Sequence, residues 1–392
     1  MPRFPKIAEH AHSVSHRVYS NLEQRALAKN EHAYRLHVGD TYRDPVPAAQ
    51  AERQLSSEHP GLHNYAPVHG EPSLIDAFIA YVEGRHGETL NPDLVQVMSG
   101  ATAGLSVVCQ VLLEPGDEVL LPSPFWPLSR GVIATKGAVP VQVPFYTRLD
   151  EPGFDAEAVL ESAITDRTVA LYINTPHNPT GRVLCGATID AMMRVAKRHD
   201  LWVLTDEAYE EIYFDREPPD AVWKRADIRD RAIAFHTLSK TYGFAGARIG
   251  FTHGPEGVMT SIRGVQTFHT YCASRPMQFG AVEALRQGGA WIEESRSLYR
   301  DAGYQAADAL GVPRPEGGTF LYLDASSQLD PGAVDCTPFL ELCADAGVLL
   351  TPGRSCGDDY AKWVRLCFTS VPPAQLASAL EKLAPLFRTP IA

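Results

Sequence analysis

Apolar positions along the chain gather into short runs separated by amphipathic stretches. Runs with strand character fall at 94–98, 119–121, 139–143, 169–173, 201–204, 232–235 and 249–252. Helical spacing fills many of the intervals. It runs from Ala101 to about Leu113, starts again around Trp126-Pro127, and returns at 155–162 and 186–199. Upstream, Leu74, Phe78 and Tyr81 share one face of a helix opened by Glu71-Pro72 and carried to about Gly84. Short apolar strands alternating with helices predict an α/β fold, with a mostly parallel seven-stranded sheet covered on both faces. Helices follow at 276–287 and 291–310. After Gly311 the order changes to strand 319–323, helix 337–346, strands 348–350 and 363–368, and helix 373–387. That order predicts a smaller α+β domain. At the other end, 1–14 reads as loosely ordered, 15–30 as a polar helix, and 34–38 as a strand ending at Gly39-Asp40. The expected division is an N-terminal arm at 1–44 joining the small domain, a large domain at 45–290, and the small domain at 291–392.

Composition narrows the function. A chain of 392 residues, 45% hydrophobic, can bury a large core and form two domains at roughly 100–200 residues each. The net charge of -12 argues against a nucleic-acid surface. No apolar run approaches the ~20 residues of a membrane helix, and the start lacks a signal-peptide core. The seven cysteines are odd in number and scattered. They fit reduced thiols in a cytoplasmic protein and neither a disulfide frame nor a zinc site. His10, His12 and His16 are the densest histidine group and read as part of a solvated arm, not as metal ligands.

Candidate chemistry concentrates in Thr237-Leu-Ser-Lys240 and Arg248, eight residues on. Lys240 follows the apolar run 232–235. A lysine at the mouth of a buried strand is costly to hold as ammonium, so its pKa falls and it becomes a nucleophile toward carbonyls. The hydroxyls of Thr237 and Ser239 and the Arg248 guanidinium can hold a phosphate. A Schiff-base amine beside a phosphate cradle is what pyridoxal phosphate requires. A loop lysine and a surface arginine would give the same letters, so the rest of the chain must decide. Ser99, Trp126, Asn178, Asp206 and Lys240 all fall just past predicted strand ends, where ligands of parallel sheets sit. Each also has an ordinary structural reading: Asn178-Pro-Thr-Gly181 is a strong turn, Asp206 a helix cap, Trp126 core filling.

Taken in order, strand–Ser-Gly-Ala-Thr102, Pro-x-Trp126, Asn178-Pro-Thr-Gly181, Asp206-x-x-Tyr209 and Ser239-Lys240 with Arg248 resemble the class I/II aminotransferases of PLP fold-type I. The nearest branch is that of bacterial aspartate and aromatic aminotransferases, and the likeness spans Gly39 to about Phe387. The resemblance implies transfer of an amino group between an L-amino acid and a 2-oxo acid. It makes Lys240 the internal aldimine and the general base, and Asp206 the partner of the pyridinium nitrogen. Asn178 and Tyr209 would bind the ring 3′-oxygen, and Trp126 would stack on the ring. Ala101 and Thr102 amides, with Thr237, Ser239 and Arg248, would bind the phosphate. Arg365 would clamp the substrate α-carboxylate, and Gly39 would let the chain pass close to substrate. Tyr65 matches a tyrosine that reaches the neighbouring subunit's phosphate, which implies a homodimer.

The departures lie on the substrate side. Gly39-Asp-Thr-Tyr42-Arg43 replaces the family's Gly-x-Pro-Asp-Phe, and Tyr271 and Arg275 are bulky where small residues are usual. These changes keep a second reading open, a PLP-dependent elimination, cyclisation or replacement enzyme of amino-acid-derived biosynthesis. Asp40 or nearby acids would then hold a basic side chain. A non-enzymatic PLP-binding module is a third reading. Arg43 and Arg275 are candidates for a distal substrate carboxylate.

Overall fold

The computed structural model describes residues 22–217 and 221–388. The expected features at 1–14, the first part of the 15–30 helix and His10, His12 and His16 lie outside the described residues. The rest of that helix is α1 (Leu22–Lys29).

Seven strands form the large sheet: β1 (Val95–Met98), β2 (Glu118–Ser123), β3 (Val139–Pro144), β4 (Thr168–Asn174), β5 (Trp202–Asp206), β6 (Ala232–Thr237) and β7 (Gly250–His253). Their order is β1-β7-β6-β5-β4-β2-β3. Pairing is parallel from β6 through β3, and β7 runs antiparallel to both its neighbours. The strands read as near-continuous apolar runs because both faces are covered. Alternate residues go to different cores. Leu120, Leu171, Ile173, Val203 and Ala234 join one apolar cluster, and Val119, Leu121, Ala170, Tyr172, Leu204 and Phe235 join the other.

Helices supply the layers: α2 (Pro72–His86), α3 (Ala101–Leu112), α4 (Pro127–Ala134), α5 (Ala156–Glu161), α6 (Gly186–Arg198), the single turn α7 (Leu238–Thr241), α8 (Glu256–His269) and α9 (Arg275–Gln287). Helix α8 was not expected from the sequence. Its buried residues Val258, Met259, Ile262 and Gln266 keep helical spacing, but glycines at 257 and 264 and a buried glutamine weaken the pattern.

A third cluster gathers around β8 (Phe320–Asp324), β10 (Trp363–Cys367) and the short β9 (Thr351–Pro352), ordered β8-β10-β9 and antiparallel. Helices α11 (Thr337–Asp345) and α12 (Pro373–Arg388) pack beside it. Helix α10 (Gly289–Leu310) joins the cores: Trp291 and Ile292 belong to the large one, Tyr299 to Leu310 to the other. Two expected strands are corrected. At 34–38 there is one bridge, Tyr34 to Val348, and the strand expected at 348–350 lies instead at Thr351–Pro352. Leu36 still sinks into the third core, so burial without ladder pairing explains the apolar pattern there.

Candidate active site

Parallel strands aim their carboxyl ends at one edge of the sheet. β4 ends in Asn174, β5 in Asp206, and β6 in Thr237, one short turn before Lys240. β7 enters where the others leave, its Gly250 paired with both Thr237 and Met98. Arg248, just ahead of β7, therefore reaches the same edge. Its backbone is left-handed at φ 55, an uncommon state for a non-glycine residue.

These ends surround a cavity of about 160 Å³. Thirteen residues were expected at the site. Twelve of them line the cavity, among them Lys240, Asp206, Tyr209, Asn178, Trp126 and Arg365, and with them the remaining phosphate-side group and Gly39. Tyr65 does not; it is 81% exposed and edge-on to Tyr271.

At one end, α3 opens at Gly100 (φ 84), where a Cβ would come within 2.5 Å of the Arg248 guanidinium. The first bonds of the helix run from Ala103 and Gly104 to the Gly100 carbonyl, so the Ala101 and Thr102 N–H groups precede them. Thr237 Oγ1 donates to Ser239 Oγ at 2.8 Å, and Arg248 Nη1 reaches Ser239 Oγ at 3.5 Å. Two free amides at a helix N-terminus, two hydroxyls and a guanidinium form an anion cradle.

Across the cavity Asp206 takes hydrogen bonds from the Tyr172 hydroxyl and, at 3.1 Å, from the Ala208 N–H. Burial raises its pKa, against the two donors that favour the carboxylate. Asn174 Nδ2 donates to the Asp206 carbonyl at 2.9 Å and fixes the end of β5. Tyr172 and Asn174 were not singled out in the sequence. The tyrosine counted as one more apolar position in a strand; the signal was its hydroxyl, which needs a partner when buried.

Lys240 Nζ donates to the Gly39 carbonyl. Burial lowers its pKa; Asp40 and Cys367 oppose the shift, and Arg365 and Arg248 add to it. A Cβ on Gly39 would lie 2.9 Å from the Phe320 ring, so glycine permits the approach. Arg365, 3% exposed, donates to Asn178 Oδ1 (3.0 Å), the His37 carbonyl (3.1 Å) and Thr351 Oγ1 (3.3 Å), and stands over the Phe320 ring. Its Nε is buried without a partner. Asn178 Nδ2 points to the Tyr209 hydroxyl at 3.4 Å.

The two candidates for a distal carboxylate are engaged elsewhere. Arg43 bonds Ser295 Oγ at 2.8 Å, pairs with Glu294 and stacks on Trp291. Arg275 bonds Glu71 at 2.6 Å and the Gly61 carbonyl.

The family model for aminotransferase class I and II matches residues 31–383. The chain belongs to the class I and II aminotransferases. Arginine–pyruvate transaminase AruH of Pseudomonas aeruginosa is 32% identical over 358 residues, 88% of each chain. Aspartate/prephenate aminotransferase of Thermus thermophilus is 32% identical over 354 residues, 87% of each. Among solved structures, N-succinyldiaminopimelate aminotransferase from Mycobacterium tuberculosis superposes with a TM-score of 0.87 at 28% identity, covering 97% of this chain and 100% of that one. This aminotransferase is thus a transferase acting on amino and 2-oxo acids, in a family that uses pyridoxal phosphate. Among the described residues no helix is long and apolar enough to cross a membrane.

Proposed function

We propose that the cavity holds pyridoxal phosphate and that Lys240 carries the amino transfer. The observation that supports this best is the convergence of a buried lysine, a buried carboxylate and an anion cradle on one cavity. The buried Arg365 Nε and the free first turn of α3 are donors without acceptors, which fits a ligand with two anionic ends. Bound there, the cofactor supplies a reactive carbonyl and an electron sink for charge developing at the substrate Cα.

The chain's residues supply the rest. The first turn of α3, Thr237, Ser239 and Arg248 hold the phosphate. Asp206, kept in place by Tyr172 and Ala208, would accept a hydrogen bond from the protonated ring nitrogen. Asn178 and Tyr209 orient the ring oxygen, and Trp126 covers a face. Lys240 Nζ, disfavoured as ammonium by burial, would hold the cofactor's carbonyl carbon and would move the proton at the substrate Cα. Arg365 holds the substrate α-carboxylate and fixes its side of the cavity. Arg43 and Arg275, engaged elsewhere, do not hold a second donor carboxylate.

The protein is read as a homodimer. Tyr65, exposed and outside its own cavity, would reach the partner's phosphate site. The seven cysteines are all free, which fits a cytoplasmic enzyme. The division expected from the sequence, a large domain at 45–290 and a small one at 291–392 joined by the N-terminal arm, is supported among the described residues by Leu36 entering the core of the second.

Mixing the purified protein with pyridoxal phosphate should produce a visible absorbance band that shifts when amino donor is added. Lys240→Ala should lower kcat about 10³-fold or more. Wild-type turnover in that variant would sink the assignment. A donor screen should favour amino acids without a second carboxylate.

A further inference from the structure

Behind the cavity, on the other face of the sheet end, lies a buried set of titratable groups that amino transfer does not use. His236, on β6 between cavity-lining Phe235 and Thr237, sits 2.8 Å from Glu210 through Nδ1. Its Nε2 is 3.0 Å from His253 Nε2 on β7. The other Glu210 oxygen takes His86 of α2 at 3.0 Å. His236, Glu210 and His253 are 2%, 5% and 5% exposed. Phe78 and Trp223 close the set with edge contacts. The Glu210 carboxylate sits on the turn after β5, which also carries Asp206 and Tyr209 to the cavity. The next residue, Glu211, is tied from the same side by Arg85 of α2, Tyr81 of α2 and Arg296 of α10 at 3.0 Å each.

We propose, on the reading that this cavity holds pyridoxal phosphate, that His236 is a positioning residue for amino transfer. As an imidazolium it pins Glu210 on the back of the 206–211 turn and places a buried positive charge behind Asp206.

The Glu210 carboxylate facing the ring at 2.8 Å favours the charged form, and the hydrogen bonds accommodate it. A doubly protonated ring donates to Glu210 through one nitrogen and to His253 through the other, and each neighbour accepts. Burial opposes the charge on His236, but Glu210, then Glu207 and Asp206, hold its pKa above the ordinary histidine value. Burial and the His236 charge together press His253 well below that value, leaving it neutral and able to accept. Glu210 resists burial and stays ionised because His236 and His86 face it. Tyr81 and Arg85 from α2, Glu211 from the turn, Tyr242 after α7 and Arg296 from α10 are the other titratable or charged groups around the set. A turn stapled this way holds Asp206 and Tyr209 in place from a face that substrate never touches.

Nitrogen-15 NMR of the apoenzyme should show both His236 nitrogens protonated at pH 7.5. A neutral His236 at that pH overturns the proposal, whatever the cofactor reading. In the holoenzyme, His236→Phe and, separately, Glu210→Gln should lower kcat about tenfold and change donor KM less than twofold. They should also raise the midpoint of the bound cofactor's visible pH titration by about one unit. Pyridoxal phosphate should bind the variant apoenzymes about tenfold more weakly. If both variants fold and leave the midpoint and the cofactor Kd unchanged, the set only packs the sheet and the proposal fails. Loss of amino transfer by wild-type protein would refute the cofactor reading instead, and the NMR result would still stand.

Discussion

The two sides of the cavity are built on different plans. The cofactor side comes from consecutive strand ends: Asn174, Asp206, Thr237, Lys240 and, through the reversed β7, Arg248. The substrate side comes from pieces far apart in the chain. Arg365 on β10 is bonded to Asn178, to the His37 carbonyl and to Thr351, and packs on Phe320. On the first side local geometry does the placing, since each strand delivers its next residue to the same edge. On the second, placement depends on the third core being folded against the first. The bond from Arg365 to Asn178 joins the two sides. On the proposed reading, the groups for the substrate carboxylate and for the ring oxygen are therefore in mutual contact.

If the sides differ in this way, substitutions should separate them. The largest effect is expected at Asp206. Asp206→Ala should lower kcat roughly 10³-fold and weaken cofactor binding, with donor KM little changed. An effect confined to KM would place Asp206 on the wrong side. On the proposed reading, Arg365→Leu would remove charge-assisted bonding to substrate worth about 3 kcal/mol. Donor KM should rise about 10²-fold, with the cofactor's absorbance spectrum unchanged; a lost spectrum would mean that the third core carries the cofactor site too.

A third comparison uses pH. His177, in the Asn178 turn, is buried against Tyr146, and burial sets its pKa well below the ordinary value. The unfolded chain takes up that proton below about pH 6.5 and the folded chain does not. The stability contributed by neutral His177 is therefore complete above pH 6.5 and is lost as pH falls below it. Urea unfolding between pH 5 and 8 should show this slope, and His177→Gln should reduce it by up to about 1.4 kcal/mol per pH unit. An unchanged slope would remove His177 from the account. The smallest effect is expected from Thr351→Val, which takes one neutral hydrogen bond from Arg365. Donor KM should rise about threefold with kcat unchanged. A larger loss would show that Thr351 orients Arg365 and does more than satisfy one of its protons.

How much of this was legible depends on distance along the chain. Lys240, Asp206, Asn178, Trp126 and the first turn of α3 stand within a few residues of strand ends, so short windows carry them. Tyr172 was visible only as an apolar strand position. Its bond to Asp206 requires knowing that β4 and β5 are neighbours in register, Asn174 beside Asp206. Helix α8 was hidden by glycines that its packing against the sheet tolerates. The strand expected at 34–38 failed because an apolar run can bury itself without a ladder partner. The seven strand segments and the α/β class followed from alternation; the order of the strands in the sheet and the reversal of β7 did not, since an apolar strand reads the same in any position and in either direction.

By itself the sequence determined which residues would stand at the sheet's edge, because strand length and alternation place the residue after each strand without reference to the rest of the chain. Tertiary structure decided what those residues meet. It brought Arg365 to Asn178, committed Arg43 and Arg275 elsewhere, turned Arg248 inward through an antiparallel strand, and set a histidine–glutamate pair behind Asp206. Each of these is a contact between segments tens to hundreds of residues apart, and contact energy at that range depends on the assembled cores, not on any local pattern.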